Sequence, residues 1–322
     1  MADTAGPALL APERFLLGSG ASTWLPESLQ MVAEPLAKTR GLARLGLAGK
    51  DDVAFCDRLP VPSAVNQMGH TTILCSPDLV DGLSAMFPDA SLLAVPDPRA
   101  GFIDWSRALL AKEQVAVSSR VPQPGRIAGN VRMGDGAWVH PQAQIDEEVV
   151  VGARCVIHRG VWLQRGVTVG DGAVLGCSGL NAYRASDGRR LGFPHLASVI
   201  VGAGSVIGAN AVLVRGILTS TVLGTCCHVG NLCNIGHGVE MGDHVWMSVG
   251  CLVGGHTRLA VGATLGLGVQ LRDNLSIGAG AQLAMGSVVM RSVADGLSVM
   301  GNPARLCPPL SAGPDRGLGE TA

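Results

Sequence analysis

Of the eight histidines in this 322-residue chain, His237 stands where acid–base chemistry is feasible. It is the third residue of Ile235-Gly236-His237, inside NLCNIGHGVEMGDHVWMSVG, where an apolar residue returns at every sixth position. An imidazole with an ordinary pKa of about 6.5 is neutral often enough near pH 7 to take a proton from an amine. Eighteen residues further on comes Gly255, in Val253-Gly254-Gly255-His256. A fixed backbone N–H beside such a base stabilises an oxyanion by on the order of 3 kcal/mol per donor. Base and amide donor together are the equipment of acyl transfer. The plainer alternative makes His237 a solvent-facing turn residue.

The other candidates are less sharply marked. His256 can line the same cleft, His195 can touch an acceptor, and Asn231 stands in its block as His237 stands in the next. His228 and His244 read as turn residues, and His70, His140 and His158 carry no signal. Nine cysteines form an odd set with no Cys-x-x-Cys pair, so neither a disulfide framework nor a zinc knuckle follows, and no metal site is expected. They read as reduced small hydrophobes of a cytoplasmic protein. FLLGSGAS (15–22) carries Gly-x-Gly, but Thr23 occupies the place of a dinucleotide fingerprint's third glycine, so the stretch reads as a turn.

What positions His237 is the repeat itself. From Leu223 the first place of each six-residue block is Leu223, Val229, Ile235, Met241, Met247, Val253, Leu259, Leu265, Leu271, Ile277, Leu283 and Val289. All are apolar. The fifth place is nearly always small, and Cys227, Cys233 and Cys251 fall there as fillers of a narrow interior. The same meter runs upstream from Ile127 to Leu175, resumes at Val201, Ile207 and Leu213, and slips around Thr219–Val222. Six residues make a short strand and a turn, and three such units make a triangular coil of 18 residues. Each coil pairs its backbone with the coils above and below. The spacing predicts a mainly β chain wound as a parallel β-helix of hexapeptide repeats over 121–305. Alternation points Ile235 inward and His237 outward, onto a face that a neighbouring subunit could cover.

Residues 176–200 break the meter as a long excursion carrying Tyr183, Arg184, Arg189, Arg190 and His195, read as a loop packed beside a site. Residues 1–120 read as a small α/β domain for acceptor or nucleotide recognition. Its expected helices are SPDLVDGLSAMF and DWSRALLAKEQ, and its expected strands TTILC and SLLAVPD. VSSRVPQPGRIAG (117–129) reads as the hinge, and 306–322 as a flexible tail. Gly is abundant at 45 residues and aromatics make up only 3%, which suits many turns around small stacked side chains. A net charge of −1 with interspersed signs offers nothing to nucleic acid or an anionic membrane. No signal peptide and no membrane span is read.

The repeat resembles the hexapeptide acyltransferase superfamily, whose β-helix is left-handed. Residues 40–290 resemble the N-acyltransferase of lipid A synthesis, which acylates UDP-3-O-acylglucosamine, through GLNAY…GFPHLASVIVG, VRGILTSTVLG and NLCNIGHGVEMGD. Residues 225–305 resemble the N-acetyltransferases of UDP-4-amino sugars, through CNIGHGVEMGDHVWMSVGCLVGG and GNPAR. Both resemblances imply a homotrimer with sites in the clefts between protomers, His237 as general base, and Gly255 N–H as oxyanion donor. Acceptor contacts are expected from Asn231, Tyr183, His195 and Phe55, and donor contacts from His256, Asn302 and Arg305. The chain departs from the pattern at three places. Gly238 follows the base where some sugar N-acetyltransferases have Glu, leaving Glu240 and Asp243 as nearby candidates to orient the imidazole. Asn274 stands near the place of the lipid A enzyme's second histidine. Phe55 lacks the tyrosine companion of that enzyme's uracil stack.

The ending Gly301-Asn302-Pro303-Ala304-Arg305 matches that of CoA-using hexapeptide enzymes, and Arg305 suits a phosphate. The lead expectation is therefore acetyl-CoA-dependent N-acylation of a nucleotide-linked amino sugar, with no permanently bound cofactor. The alternative is transfer of a longer 3-hydroxyacyl chain from acyl carrier protein. A γ-type carbonic anhydrase is disfavoured because the fifth residue after His237 is Gly242 where a second zinc ligand is needed. A non-catalytic β-helix scaffold is the remaining rival.

Overall fold

The computed structural model describes residues 15–17, 25–36, 38, 41–45, 48, 51–60, 71–112, 121 and 125–308. Gly18, Gly20, Thr23, His70 and residues 309–322 lie outside them.

Each six-residue block forms a two-residue strand whose first side chain faces out and whose second faces in. Asn234–Ile235, Glu240–Met241 and Trp246–Met247 all show an exposed residue followed by a buried one. Three places after the inward residue the backbone turns through left-handed φ, as at Gly238 (66°), His244 (58°), Gly250 (72°) and His256 (56°). That is the corner of the triangle. Glycine enters this region without cost, and His and Asn tolerate it better than branched residues.

Three parallel sheets result. The first face holds the column that begins at Arg132–Met133, the second begins at Trp138–Val139, and the third at Gln144–Ile145. Register is in phase from coil to coil: Asn234–Ile235 pairs with Leu252–Val253, and that with Gln270–Leu271. The inward residues form one continuous apolar core from Ala143 to Val299, each large member stabilising the stack by about 1.5–3 kcal/mol. Cys227, Cys233 and Cys251 lie within it, their thiols donating to the carbonyls of Gly242, Ser248 and Gly266 at 3.0–3.2 Å. The architecture is a parallel β-helix of six-residue repeats. It ends in an antiparallel hairpin, Ser298–Gly301 with Ala304–Cys307.

The N-terminal part is a five-stranded sheet in the order β1 (Phe15–Leu16), β2 (Gly41–Leu42), β3 (Asp52–Cys56), β4 (Thr72–Cys75), β5 (Ser91–Ala94). Strands β2 to β5 run parallel and β1 antiparallel to β2. Strand β3 is not among the expected strands because it is buried nearly throughout and shows no alternation. The helices are α1 (Ala33–Leu36), α2 (Val80–Met86) and α3 (Pro98–Ala111). Helix α3 starts at Pro98, before the expected Asp104. Asp97 accepts from Ala100 N–H at 2.9 Å as its N-cap, and Pro98 fits a first turn.

Two insertions join this sheet to the coils. The first, between Cys177 and Val199, contains an antiparallel hairpin, Ala182–Arg184 with Arg190–Gly192. The second, between Val214 and Thr221, is the slip of the meter. Leu196 and Ala197 of the first and Ile217 and Leu218 of the second share an apolar cluster with Phe102, Trp105 and Leu109 of α3.

Candidate active site

The second face carries Ile235 inward and then turns, so His237 emerges at the corner between the second and third faces. One coil further along, Gly255 takes the equivalent place, and His256 N–H donates to His237 C=O at 2.8 Å across the rung. The imidazole lies against the Gly255 backbone. A Cβ built on Gly255 would stand 2.6 Å from His237 Cε1 and 2.7 Å from Nε2. Among the described residues no acceptor takes the Gly255 N–H.

His237 borders a cavity of about 560 Å³. Its walls are Val212, Val214, Asn234, Val253 and the glycines 236, 254 and 255 from the coils, with Cys177 to Leu180 from the excursion. As alternation expects, the ring faces the cavity outside the coil, where it is partly exposed. The ring is nevertheless mostly covered, because the chain's own excursion folds over it. Asn181 Nδ2 lies 3.5 Å from His237 Nε2.

Three imidazoles gather here. His195 meets His237 with ring centroids 5.7 Å apart and planes at 75°, and His256 meets it at 4.8 Å and 76°. Burial pushes the pKa of His237 below the ordinary histidine value, and the carboxylate of Asp273 opposes that shift. Burial also drives His195 down to about 4, helped by His237 and Arg215 and opposed by a hydrogen bond to the Phe193 backbone. His256 falls to about 4 for the same primary reason, with His237 and Arg44 adding to it and Asp273 resisting. Near neutral pH the cluster is therefore uncharged. That is the state in which an imidazole works as a base.

The departure at Gly238 has a steric cause. Its φ is +66°, and a Cβ there would stand 2.5 Å from His256 Nδ1, so a glutamate is excluded while His256 keeps its place. Neither carboxylate offered as an orienting group serves that end. Glu240 pairs with Arg258 at 3.2 Å, and Asp243 accepts from Thr225 N–H at 2.7 Å.

The remaining sequence candidates are dispersed. Asn231 is not brought to His237. Its carboxamide caps Ala209 N–H at 2.8 Å on the adjoining corner, as Asp171 caps Ala153 and Asp295 caps Ala279. Phe55 and Tyr183 meet at the junction of the N-terminal sheet and the excursion. There the Arg99 guanidinium carbon lies 5.6 Å from the Phe55 ring centroid and 5.0 Å from that of Tyr183. Arg99 also pairs with Asp57 at 2.6 Å. Phe55 thus has aromatic company after all, in Phe102 and Phe193 at 5.1 and 5.8 Å and in Tyr183 across Arg99. Asn302 and Arg305 sit exposed on the terminal hairpin, where Arg305 donates only to the Ala304 carbonyl.

Sequence reasoning missed three residues. Asn181, in GLNAY, carries no motif signal of its own. Arg215, from VRGILTSTVLG, is a largely buried guanidinium that donates to Gly176 C=O at 2.6 Å and to Arg159 C=O, tying down the mouth of the excursion. Burial lowers its pKa to about 10. Asp97 accepts from Tyr183 OH at 3.1 Å and from Ser186 N–H at 2.9 Å, which fastens the hairpin to α3.

No family model matches the chain. It is similar in sequence to the UDP-3-O-acylglucosamine N-acyltransferase of Coxiella burnetii, 25% identical over 238 residues, with 66% of this chain and 67% of that one covered. It is also similar to the Bordetella pertussis protein of the same name, 26% identical over 261 residues, with 66% of each covered. Among solved structures, the UDP-N-acetylglucosamine acyltransferase of Francisella novicida superposes with a TM-score of 0.37 at 20% identity, covering 56% of this chain and 70% of that one. The acetyltransferase domain of PglB from Neisseria gonorrhoeae does so with a TM-score of 0.28 at 16% identity, covering 80% and 86%.

Proposed function

We propose that this chain, which resembles the UDP-3-O-acylglucosamine N-acyltransferases, moves an acyl group from a thioester to the amine of a nucleotide-linked amino sugar. The class of reaction rests on the relatives, each named as an N-acyltransferase. The observation that carries the chemistry is the His237 ring lying against the backbone of Gly255 at the edge of the cavity.

In this reading the sugar amine attacks the thioester carbonyl while His237 takes one of its protons. The C–N bond forms as the carbonyl oxygen becomes an oxyanion, which Gly255 N–H receives. Collapse of the tetrahedral intermediate breaks the C–S bond, and the imidazolium returns its proton to the departing sulfur. No proton is gained or lost overall. An amide donor fixed in a partly buried site contributes about 3 kcal/mol because it needs no reorganisation as charge develops.

For the donor, the relatives' names favour the lipid A type over acetyl transfer, reversing the order suggested by the GNPAR ending. The apolar walls of the cavity, from Leu180, Val212, Val214 and Val253, also support a longer acyl chain, delivered in that family type by acyl carrier protein. Acetyl-CoA is the second reading, favoured by the exposed Asn302 and Arg305 on the terminal hairpin. Assembly as a homotrimer, with a neighbouring protomer completing the cleft over the second face, belongs to the same proposal.

The test is a donor screen, with 3-hydroxyacyl-acyl carrier protein and acetyl-CoA each offered with UDP-linked amino sugars and free thiol measured. The expected result is acyl-carrier-protein-dependent release that His237→Ala reduces by about 10²-fold or more. Turnover unchanged in His237→Ala would reject the reading, and turnover with acetyl-CoA alone would favour the second donor.

A further inference from the structure

Two neighbouring rings in the candidate site each hold a buried nitrogen with no partner among the described residues: Nδ1 of His237 and Nε2 of His195. Buried polar atoms are rarely left so in a native fold. The rings meet in a T-shaped pair, 5.7 Å apart between centroids with planes at 75°, near enough for ring rotation to bring a nitrogen of each within hydrogen-bond reach.

The two atoms have complementary needs. The Phe193 backbone favours a proton on His195, as a carbonyl acceptor does, and with Nε2 unpartnered that proton belongs on the other nitrogen. Its Nε2 is left as a lone pair. At His237 the nitrogen beside Asn181 and nearest the Gly255 backbone is Nε2. If that atom is to receive a proton, the neutral ring must carry its own on Nδ1. One orphan is then a donor and the other an acceptor. Glu240 and Asp243 are engaged elsewhere, and Asp273, which acts on His237 through its charge, accepts from Asn274 Nδ2 at 2.6 Å and makes no hydrogen bond to Nδ1.

We propose that His195 orients the catalytic base: His237 Nδ1–H donates to His195 Nε2, which fixes the His237 Nε2 lone pair towards the acceptor amine. The catalytic part of this rests on the reading of His237 as base. When His237 Nε2 takes the amine proton, the imidazolium keeps Nδ1–H on the neutral His195, and no second proton moves. The dyad does the work that a carboxylate does beside other catalytic histidines. Having no negative charge, it leaves the base able to lose its proton at lower pH. The other charged or titratable groups facing the pair are Asp273, acting on His237, and Arg215, acting on His195, with the His256 ring packed against His237 and itself acted on by His237, Arg44 and Asp273.

The test combines nitrogen-15 NMR of the histidine rings with kinetics of His195→Phe and His195→Gln in the full chain. In the unaltered protein, without substrate, His237 is expected to carry a solvent-protected proton on Nδ1. His195→Phe should lose that protection, and His195→Gln, whose carboxamide oxygen still accepts, should regain it. The Phe variant should lose about 10- to 100-fold in kcat with KM changed less than about two-fold, and its acid limb in kcat/KM should move to lower pH. The Gln variant should recover most of the rate. A His237 proton found on Nε2, or equal losses in the Phe and Gln variants, would overturn the proposal. If the spectra show the pair but no amino sugar is acylated, the functional reading falls and the hydrogen bond stands.

Discussion

Gly255 lies so close beneath the His237 ring that the smallest side chain on it would stand 2.6 Å from Cε1. Van der Waals contact needs more room than that, so Gly255→Ala must displace the base while keeping the backbone N–H. The expected outcome is a fall of about 100-fold in kcat/KM, since a displacement of about 1 Å costs that much. Overpacking should cost about 1–3 kcal/mol of stability as well. Steady-state kinetics and thermal melts read the two effects separately, and an unimpaired Gly255→Ala enzyme would remove His237 from the chemistry.

The pH dependence of the rate follows from the same burial. A base works when unprotonated, so kcat/KM rises with pH through the His237 pKa and then levels. Burial depresses that pKa, with Asp273 opposing, so the limb is expected below the ordinary value of about 6.5. Asp273→Asn removes the opposing charge and should move it lower still. A rate profile whose limb lies above 7, or rises in the Asp273→Asn variant, contradicts this account.

Stability should respond over a separate window. His195 and His256 titrate at about 4 in the fold and at about 6.5 in the unfolded chain. Between those values the unfolded chain binds protons that the folded chain refuses. Stability contributed by these groups is therefore present above pH 6.5, falls as pH drops towards 4, and levels once the folded rings also protonate. For His195, only 5% exposed, the full effect is on the order of 3 kcal/mol. Melting temperatures measured from pH 7 to pH 4 should drop, and the drop should be shallower in His195→Gln and His256→Gln.

The coil and the place of His237 were legible because their signals are local. An apolar residue at each sixth place fixes which side chains enter the core, and the register alone sends His237 to a corner one rung from Gly255. The slip at Thr219–Val222 marks the second insertion for the same reason. What covers His237 was not legible, because it depends on contacts between segments far apart in sequence. Asn181 and His195 reach the ring only after the excursion docks on α3. The choice of Gly238 makes sense only once the His256 ring is seen beside it, and Asn231 has a role in its own coil that spacing cannot distinguish from one in a cleft.

That docking depends on one carboxylate. Asp97 caps α3 through Ala100 N–H and also accepts from Tyr183 OH and Ser186 N–H of the excursion hairpin. Burial alone would raise its pKa, but these donors outweigh it and hold the carboxyl below its ordinary value. Its contribution is thus present above the unfolded pKa near 4 and is lost as pH falls through the lower folded value. Asp97→Ala removes a helix cap and two tertiary bonds at once, for an expected cost of about 2 kcal/mol. The hairpin would still be held by Arg189 to Asp104 at 3.1 Å and by the apolar contacts of Leu191 and Ala185 with Ala100 and Ile103. It should therefore loosen without detaching. Proteolysis at the Asp187–Gly188 turn should quicken, and kcat should fall although Asp97 touches neither imidazole, because the same excursion carries Asn181 and His195 to the base. Tyr183→Phe, which removes only the hydroxyl bond, should show a smaller loss of the same kind. An Asp97→Ala protein with wild-type protease resistance and rate would show that the excursion is held over His237 by its apolar contacts alone.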